Sequence, residues 1–273
     1  GNMAAGNIAI RYGAKGPCVP VVTACATSTH AIGEAYRLIR HGYADAAIAG
    51  GSEASVNPIA IAGFTNCMAL SEQPDPMRAS LPFDTRRAGF VLGEGAAVVV
   101  LEEYEHARAR GAHIYAEVAG YGATCDAFHI TAPDPEGMGA ARAIQLALEE
   151  AGDVGSQPLY INAHGTGTPL NDKTETLAIK HALGEARARL TPVSSIKGAT
   201  GHMLGAAGGA EGVATMLALD AGMLPPTIHL DEPDPECDLD YVPHTARAYQ
   251  AQLALSTSLG FGGHNGVLAF RRV

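Results

Sequence analysis

The sequence lacks the marks of several protein classes. Its five cysteines, at positions 18, 25, 67, 125 and 237, form no CxxC pair and are odd in number. That argues against a zinc site, any other metal centre of cysteines, or a disulfide framework, and it points to a reducing, cytoplasmic setting. Basic residues are in deficit: 18 Lys and Arg against 28 Asp and Glu leave a formal net charge of -10. A nucleic-acid partner is therefore not expected, although a local basic patch for an acidic protein is compatible with such a total. Long apolar runs are missing too. The longest, around residues 96–101, is strand-sized and falls far short of the roughly 20 residues that span a bilayer. No stretch reads as a signal peptide, so no membrane association is expected.

Nucleotide fingerprints are also absent. A phosphate-cradling GxxxxGK[ST] loop fails because Lys197 precedes its glycines. The GxGxxG pattern fails because Leu170 and Asn265 stand where the third glycine would fall. The glycines fit a thin, extended substrate arm better.

Charged residues make up 17% of the chain and hydrophobic ones 47%, which supplies a packed interior and leaves little for disorder. A length of 273 residues suits one large domain or two lobes sharing a core. Short apolar runs alternate with amphipathic segments. Residues 18–24 (CVPVVTA) read as a buried strand, 28–40 as a helix, 46–49 and 95–102 as strands, and 104–110 as a helix. A second cycle opens at 114–120. Helices follow at 137–152, 173–183 and 206–219, and strands at 159–163, 193–196, 253–256 and 267–270. The alternation predicts an α/β fold with buried sheets, and the break near 111–113 predicts a lobe boundary. Residues 2–12 read as a helix with nothing before it to form the sheet that 18–24 would join.

Cys25 sits between a strand and a helix, in TACATS. A helix start brings a positive dipole end and free N–H groups, which favour the nucleophilic thiolate. A small core residue capping a strand fits the same local pattern. His164, in NAHGTGTP, follows a strand and is followed by glycine, with the Thr166 and Thr168 hydroxyls placed to bond an extended polar ligand. An ordinary loop histidine fits as well. Lys197 and His202 flank the next such turn, SIKGATGH. A lysine so near a strand end needs an acceptor if it is buried. Glu211 is its candidate partner, or else a solvated surface carboxylate. In LGFGGHN, Phe261 lies between glycines, as a door over a cavity or as the apolar anchor of a turn. As a door, its backbone N–H would serve an oxyanion hole.

TACATS, NAHGTGTPLND, SSIKGATGHMLGAAGGAE and GFGGHN, in that order, resemble the β-ketoacyl-acyl-carrier-protein synthases, closest to the type II elongation enzymes of bacteria. The resemblance covers essentially the whole chain. It implies an acyltransferase with a thiolase-like layered αβαβα fold and an incomplete N-terminal lobe. Residues 1–112 would form the C-terminal part of that lobe and carry Cys25; residues 113–273 would form the C-terminal lobe. Cys25, His164 and His202 match the family's Cys-His-His triad. Lys197 matches the lysine that supports the second histidine. Phe261 matches the gate, Thr166 and Thr168 the hydroxyls on phosphopantetheine, Phe64 the acyl-pocket lining, and Glu211 a structural partner of Lys197. The implied partners are acyl-carrier protein and a second copy of the chain, paired through residues 18–24, with no cofactor beyond the carrier's phosphopantetheine. Thr257 and Leu259 depart from the family's usual Asn and Phe.

Overall fold

Small and apolar residues gather the strands into two main groups. The computed structural model describes residues 1–153 and 155–273. Strand β1 (Ala46–Glu53) pairs antiparallel with β2 (Gly95–Glu102), from Ala46 opposite Glu102 to Glu53 opposite Gly95. Then come β3 (Glu117–Cys125), β4 (Leu159–Asn162), β5 (Val193–Ser194), the short antiparallel pair β6 (Met223–Leu224) and β7 (Arg247–Ala248), β8 (Leu253–Gly260) and β9 (His264–Arg271). Five of these form a mixed sheet in the order β3-β9-β8-β4-β5. Strand β4 runs parallel to both β8 and β5, whereas β9 is antiparallel to β8 and β3. Strands β4, β8 and β9 are buried along nearly their whole length, and each carries a short apolar run, LYI, LAL and VLAF respectively.

Two helices, Thr27–Arg40 and Ala207–Ala221, lie between the sheets and touch both. Their closeness depends on small residues: a Cβ at Gly208 would overlap the Thr29 hydroxyl. Helices Met138–Glu150 and Pro169–Leu183 pack together, the former covering β3 and β9 on the far face of the larger sheet. The layers thus run sheet, helices, sheet, helices. Ile48, Val98 and Val100 are exposed on the β1–β2 sheet. The fifth, outer helical layer has no counterpart there among the described residues, in keeping with an incomplete N-terminal lobe.

One expected strand is not formed. Residues 18–24 lie outside any sheet, with Val19 77% and Val22 78% exposed. The β-branched pattern is real, but among the described residues no strand lies beside it to take its backbone bonds. Helix Met3–Tyr12 forms as expected and buries none of its side chains. Sequence patterning missed helix Pro58–Asn66, capped by the Asn57 side chain accepting from Ala60 N–H at 3.0 Å.

Gly122 in β3 lies so close to helix Met138–Glu150 that an added Cβ would run into the Ala143 carbonyl, whereas nothing stands within 4 Å of a Cβ at Gly63. Gly122→Ala is expected to lose about 1–3 kcal/mol in urea denaturation. Gly63→Ala, in helix Pro58–Asn66, should be neutral or up to about 1 kcal/mol stabilising.

Candidate active site

The chain enters helix Thr27–Arg40 through a tight turn, Ala24–Ala26, that carries Cys25. Ala24 holds a left-handed φ of 49°, a conformation kept only where the surroundings over-determine it. Two ties from the first helical turn do so. The Ser28 hydroxyl donates to the Gly205 carbonyl, and the Thr29 and Ser258 hydroxyls share a bond of 2.7 Å. Cys25 itself belongs to an apolar cluster with Phe90 and Leu204, against which Phe64 and Leu70 pack.

That burial pushes the Cys25 thiol up to about 11. Desolvation outweighs the opposing pull of Lys197 and of the backbone N–H groups of Phe261 and Cys25. The expectation that the helix start favours the thiolate is therefore overturned: in this chamber, loss of water outweighs the helix end. The two N–H groups at the sulfur also form a donor pair able to hold an oxyanion that develops beside it.

His164 follows β4, and His202 stands in the turn beyond β5. Their rings meet edge to face with centroids 5.2 Å apart, and Phe90 stands edge-on to His202 at 5.1 Å. Phe90 thereby joins the sulfur's cluster to the two imidazoles. Burial holds both histidines well below the ordinary range, with Lys197 adding to the shift in each. Both rings are accordingly neutral near pH 7.

Lys197 is 1% exposed and Glu211 2%, and the two form an ion pair. The solvated readings of both residues fail. The Lys197 ammonium donates to the His164 carbonyl at 2.5 Å and lies 3.4 Å from its Nδ1. An ammonium only donates, so Nδ1 of His164 accepts and Nε2 carries the proton. Here the lysine contacts the first histidine, not the second as the resemblance implied. The reason is geometric: parallel pairing of β4 with β5 sets the two following turns side by side. Nδ1 of His202 has no hydrogen-bond partner among the described residues.

Two buried carboxylates escaped the sequence reading. Glu175 accepts from His164 N–H at 2.7 Å, Gly165 N–H at 2.8 Å and the Thr257 hydroxyl at 2.7 Å. Burial still leaves its carboxyl above the ordinary range. Asp172, one turn earlier on the same helix, accepts from Phe83 N–H at 2.8 Å and Gly167 N–H at 3.2 Å. Together they hold the backbone on which His164 and Thr166 stand. The sequence carries no signal for them, because only the fold shows that the polar residues Asp172, Thr174, Glu175 and Thr176 of helix Pro169–Leu183 are buried. Thr257 stands out for the same reason, because its hydroxyl also accepts from His164 N–H at 2.9 Å.

Phe261 sits at the tip of the β8–β9 hairpin, followed by Gly262 (φ 88°) and Gly263 (φ 77°). Its ring lies 6.5 Å from Phe64, which meets Phe90 at 5.5 Å, so Phe64 and Phe261 both border the Cys25 cluster. Gly260 is needed for close approach: its Cβ would come 2.8 Å from the Thr23 carbonyl. The Thr166 and Thr168 hydroxyls bond each other at 2.9 Å, with Thr166 buried and Thr168 half-buried. No group of three or more His, Cys, Asp or Glu able to hold a metal occurs among the described residues.

A cysteine on a strained turn, two facing histidines and a hairpin N–H, set between layered sheets, are arranged as in a thiolase-like fold. Comparison with known proteins narrows this class. The Beta-ketoacyl synthase N-terminal domain matches residues 1–107, and the Beta-ketoacyl synthase C-terminal domain matches residues 115–231. A 3-oxoacyl-[acyl-carrier-protein] synthase 2 of Synechocystis sp. is 56% identical over 272 residues, covering 99% of this chain and 65% of the relative. One from Staphylococcus aureus is 52% identical over 270 residues, covering 99% of this chain and 67% of the relative. Among solved structures, a β-ketoacyl synthase from Burkholderia phymatum superposes with a TM-score of 0.94 at 43% identity, covering 100% of this chain and 65% of that one. A type II PKS acyl-carrier protein in complex with its ketosynthase gives 0.97 at 43% identity, covering 100% of this chain and 67% of that one. The chain belongs to the β-ketoacyl synthase family. It spans about 65% of the length of the first curated relatives it matches.

Two outcomes follow. Iodoacetamide alkylation of Cys25, followed peptide by peptide, should keep accelerating above the ~8.5 of an ordinary thiol and level only near about 11; a plateau at or below the ordinary value contradicts the burial argument. Lys197→Met strands the Glu211 carboxylate and should cost about 3–5 kcal/mol, while adding Glu211→Leu should restore most of it. Urea denaturation of the single and double variants measures both.

Proposed function

We propose that the protein catalyses decarboxylative Claisen condensation of an enzyme-bound acyl group with malonyl-acyl-carrier protein, giving 3-oxoacyl-acyl-carrier protein in fatty-acid elongation. The observation that carries this reading is the Cys25 sulfur, met by the N–H groups of Phe261 and Cys25 and joined through Phe90 to two neutral, buried imidazoles.

The chemistry follows in two half-reactions. The Cys25 sulfur attacks the carrier thioester, its proton leaves with the departing phosphopantetheine thiol, and an acyl-Cys25 bond replaces the carrier bond. The two N–H groups hold the oxyanion of that step. Malonyl-carrier then loses carbon dioxide, and the electron pair of the broken bond becomes an enolate. Neutral His164 and His202 donate hydrogen bonds to its oxygen, a role that a protonated Nε2 on His164 suits. The enolate carbon attacks acyl-Cys25, lengthens the chain by two carbons and releases the sulfur as a thiolate, which takes up one proton from water to restore the thiol.

Thr166 and Thr168 are assigned to the phosphopantetheine arm, Phe64 to the acyl pocket, Phe261 to the gate, and Lys197 with Glu211 to support of the imidazoles. Acyl-carrier protein is the proposed partner, in line with the carrier-bound ketosynthase among the structural relatives. A second copy is proposed to pair through the extended segment bearing Val19 and Val22. The lobes divide at 112/113, no cofactor is bound by the protein itself, and the setting is cytoplasmic.

A polyketide ketosynthase domain is the second reading, favoured by the structural relative in complex with a type II PKS carrier; the curated relatives at 52–56% identity favour elongation. A non-catalytic chain-length partner would lack the nucleophile that Cys25 supplies.

In the intact gene product, Cys25→Ala should lower condensation by about 10³-fold or more, while Cys25→Gln should retain malonyl-carrier decarboxylation. Product analysis on the carrier protein and carbon dioxide release measure the two. Full condensation by either variant removes Cys25 from the mechanism. Cerulenin should label Cys25, and a well-folded protein that forms no adduct supports the non-catalytic reading.

A further inference from the structure

The Phe261 N–H is useful only if it stays at the Cys25 sulfur, yet the hairpin tip that carries it has two glycines in left-handed conformations directly after it. Something must fix the strand behind that tip to the turn that presents the sulfur. His30, buried on the first turn of helix Thr27–Arg40, touches both. Its Nδ1 lies 2.8 Å from the Thr23 hydroxyl, two residues before Cys25. Its Nε2 lies 3.2 Å from the Asn265 carbonyl, four residues after Phe261.

The tautomer is decided by the partners. A carbonyl only accepts, so Nε2 carries the proton and donates to Asn265; in the neutral ring Nδ1 then accepts from the Thr23 hydroxyl. Each bond has one possible direction, and the ring acts as a strut of fixed polarity. Its seat is tight as well: a Cβ at Gly266 would come within 2.9 Å of the ring. The Thr29–Ser258 bond ties the same helical turn to β8, leaving His30 to hold β9.

We infer that His30 is a positioning residue: it keeps the Phe261 N–H registered on the Cys25 sulfur and so preserves the oxyanion donor pair. The inference rests on the condensing reading above. It adds a residue that touches neither substrate nor reacting atom and acts through Asn265 and Thr23.

The discriminating test compares two reactions of one sulfur in the intact protein. Acyl transfer from an acyl-carrier thioester builds charge on a carbonyl oxygen and needs the N–H pair. Displacement of iodide from iodoacetamide builds no oxyanion and does not. His30→Leu is expected to slow acylation of Cys25 by about 10- to 100-fold, on the scale of a weakened oxyanion donor, and to change alkylation by less than about threefold. His30→Gln keeps an N–H for the Asn265 carbonyl and should recover most of the loss. Thr23→Val, which removes only the hydroxyl partner, should show the same split in weaker form and serves if His30→Leu does not fold. Parallel loss of both reactions, or acylation left at the wild-type rate, overturns the role given to His30. A wild-type protein that takes no acyl group from any carrier thioester while still being alkylated overturns the condensing reading, and the role of His30 with it.

Discussion

Removal of water from one chamber sets the terms for everything around it. Cys25, His164, His202, Lys197 and Glu211 are all buried there. Desolvation drives the thiol up and the imidazoles down, toward uncharged forms in each case. Burial raises the Glu211 carboxyl as well, against the opposing pull of its ion pair with Lys197. A chamber of this kind holds its reacting groups neutral until charge develops in a transition state, which is where fixed donors act most strongly.

Rigid support follows from the same constraint, because a buried polar group must be bonded or it costs stability. The His164 turn hangs on Glu175 and Thr257, the Thr166 turn on Asp172, and the Cys25 turn on Ser28, Thr29 and His30. These ties come from helix Thr27–Arg40, from the turn just before helix Ala207–Ala221, from helix Pro169–Leu183 and from both hairpin strands. Secondary elements distant in sequence thereby share a site little larger than a few side chains. The hairpin tip bearing Phe261 has glycine on either side of the aromatic residue and is tied to the neighbouring loop by Gly262 N–H donating to the Ile130 carbonyl and Asp126 N–H donating to the Gly263 carbonyl.

Much of this was legible before the fold was known. Most helices and long strands were readable because buried strands are short apolar runs and helices carry a repeating face. The candidate site residues stood out because Cys25 sits at a helix start, and His164, Lys197 and His202 follow strand ends in glycine-rich turns. Residues 18–24 misled, since their β-branched pattern reports a preference for a sheet and not the presence of a neighbouring strand. Glu175 and Asp172 were missed because a carboxylate on a helix reads as a solvated face until its partners are known.

The sequence by itself determined the α/β alternation and the order of the motifs, because these depend on local periodicity and side-chain chemistry; it offered Cys25, His164 and His202 as candidates, whose roles came from the family resemblance and not from the local pattern. Tertiary structure alone decided the protonation and the contacts. Lys197 reaches His164 and not His202, Cys25 is held as a thiol, and His30 spans from Thr23 to Asn265. Desolvation and hydrogen-bond direction are properties of the space between elements, and no stretch of chain carries them alone.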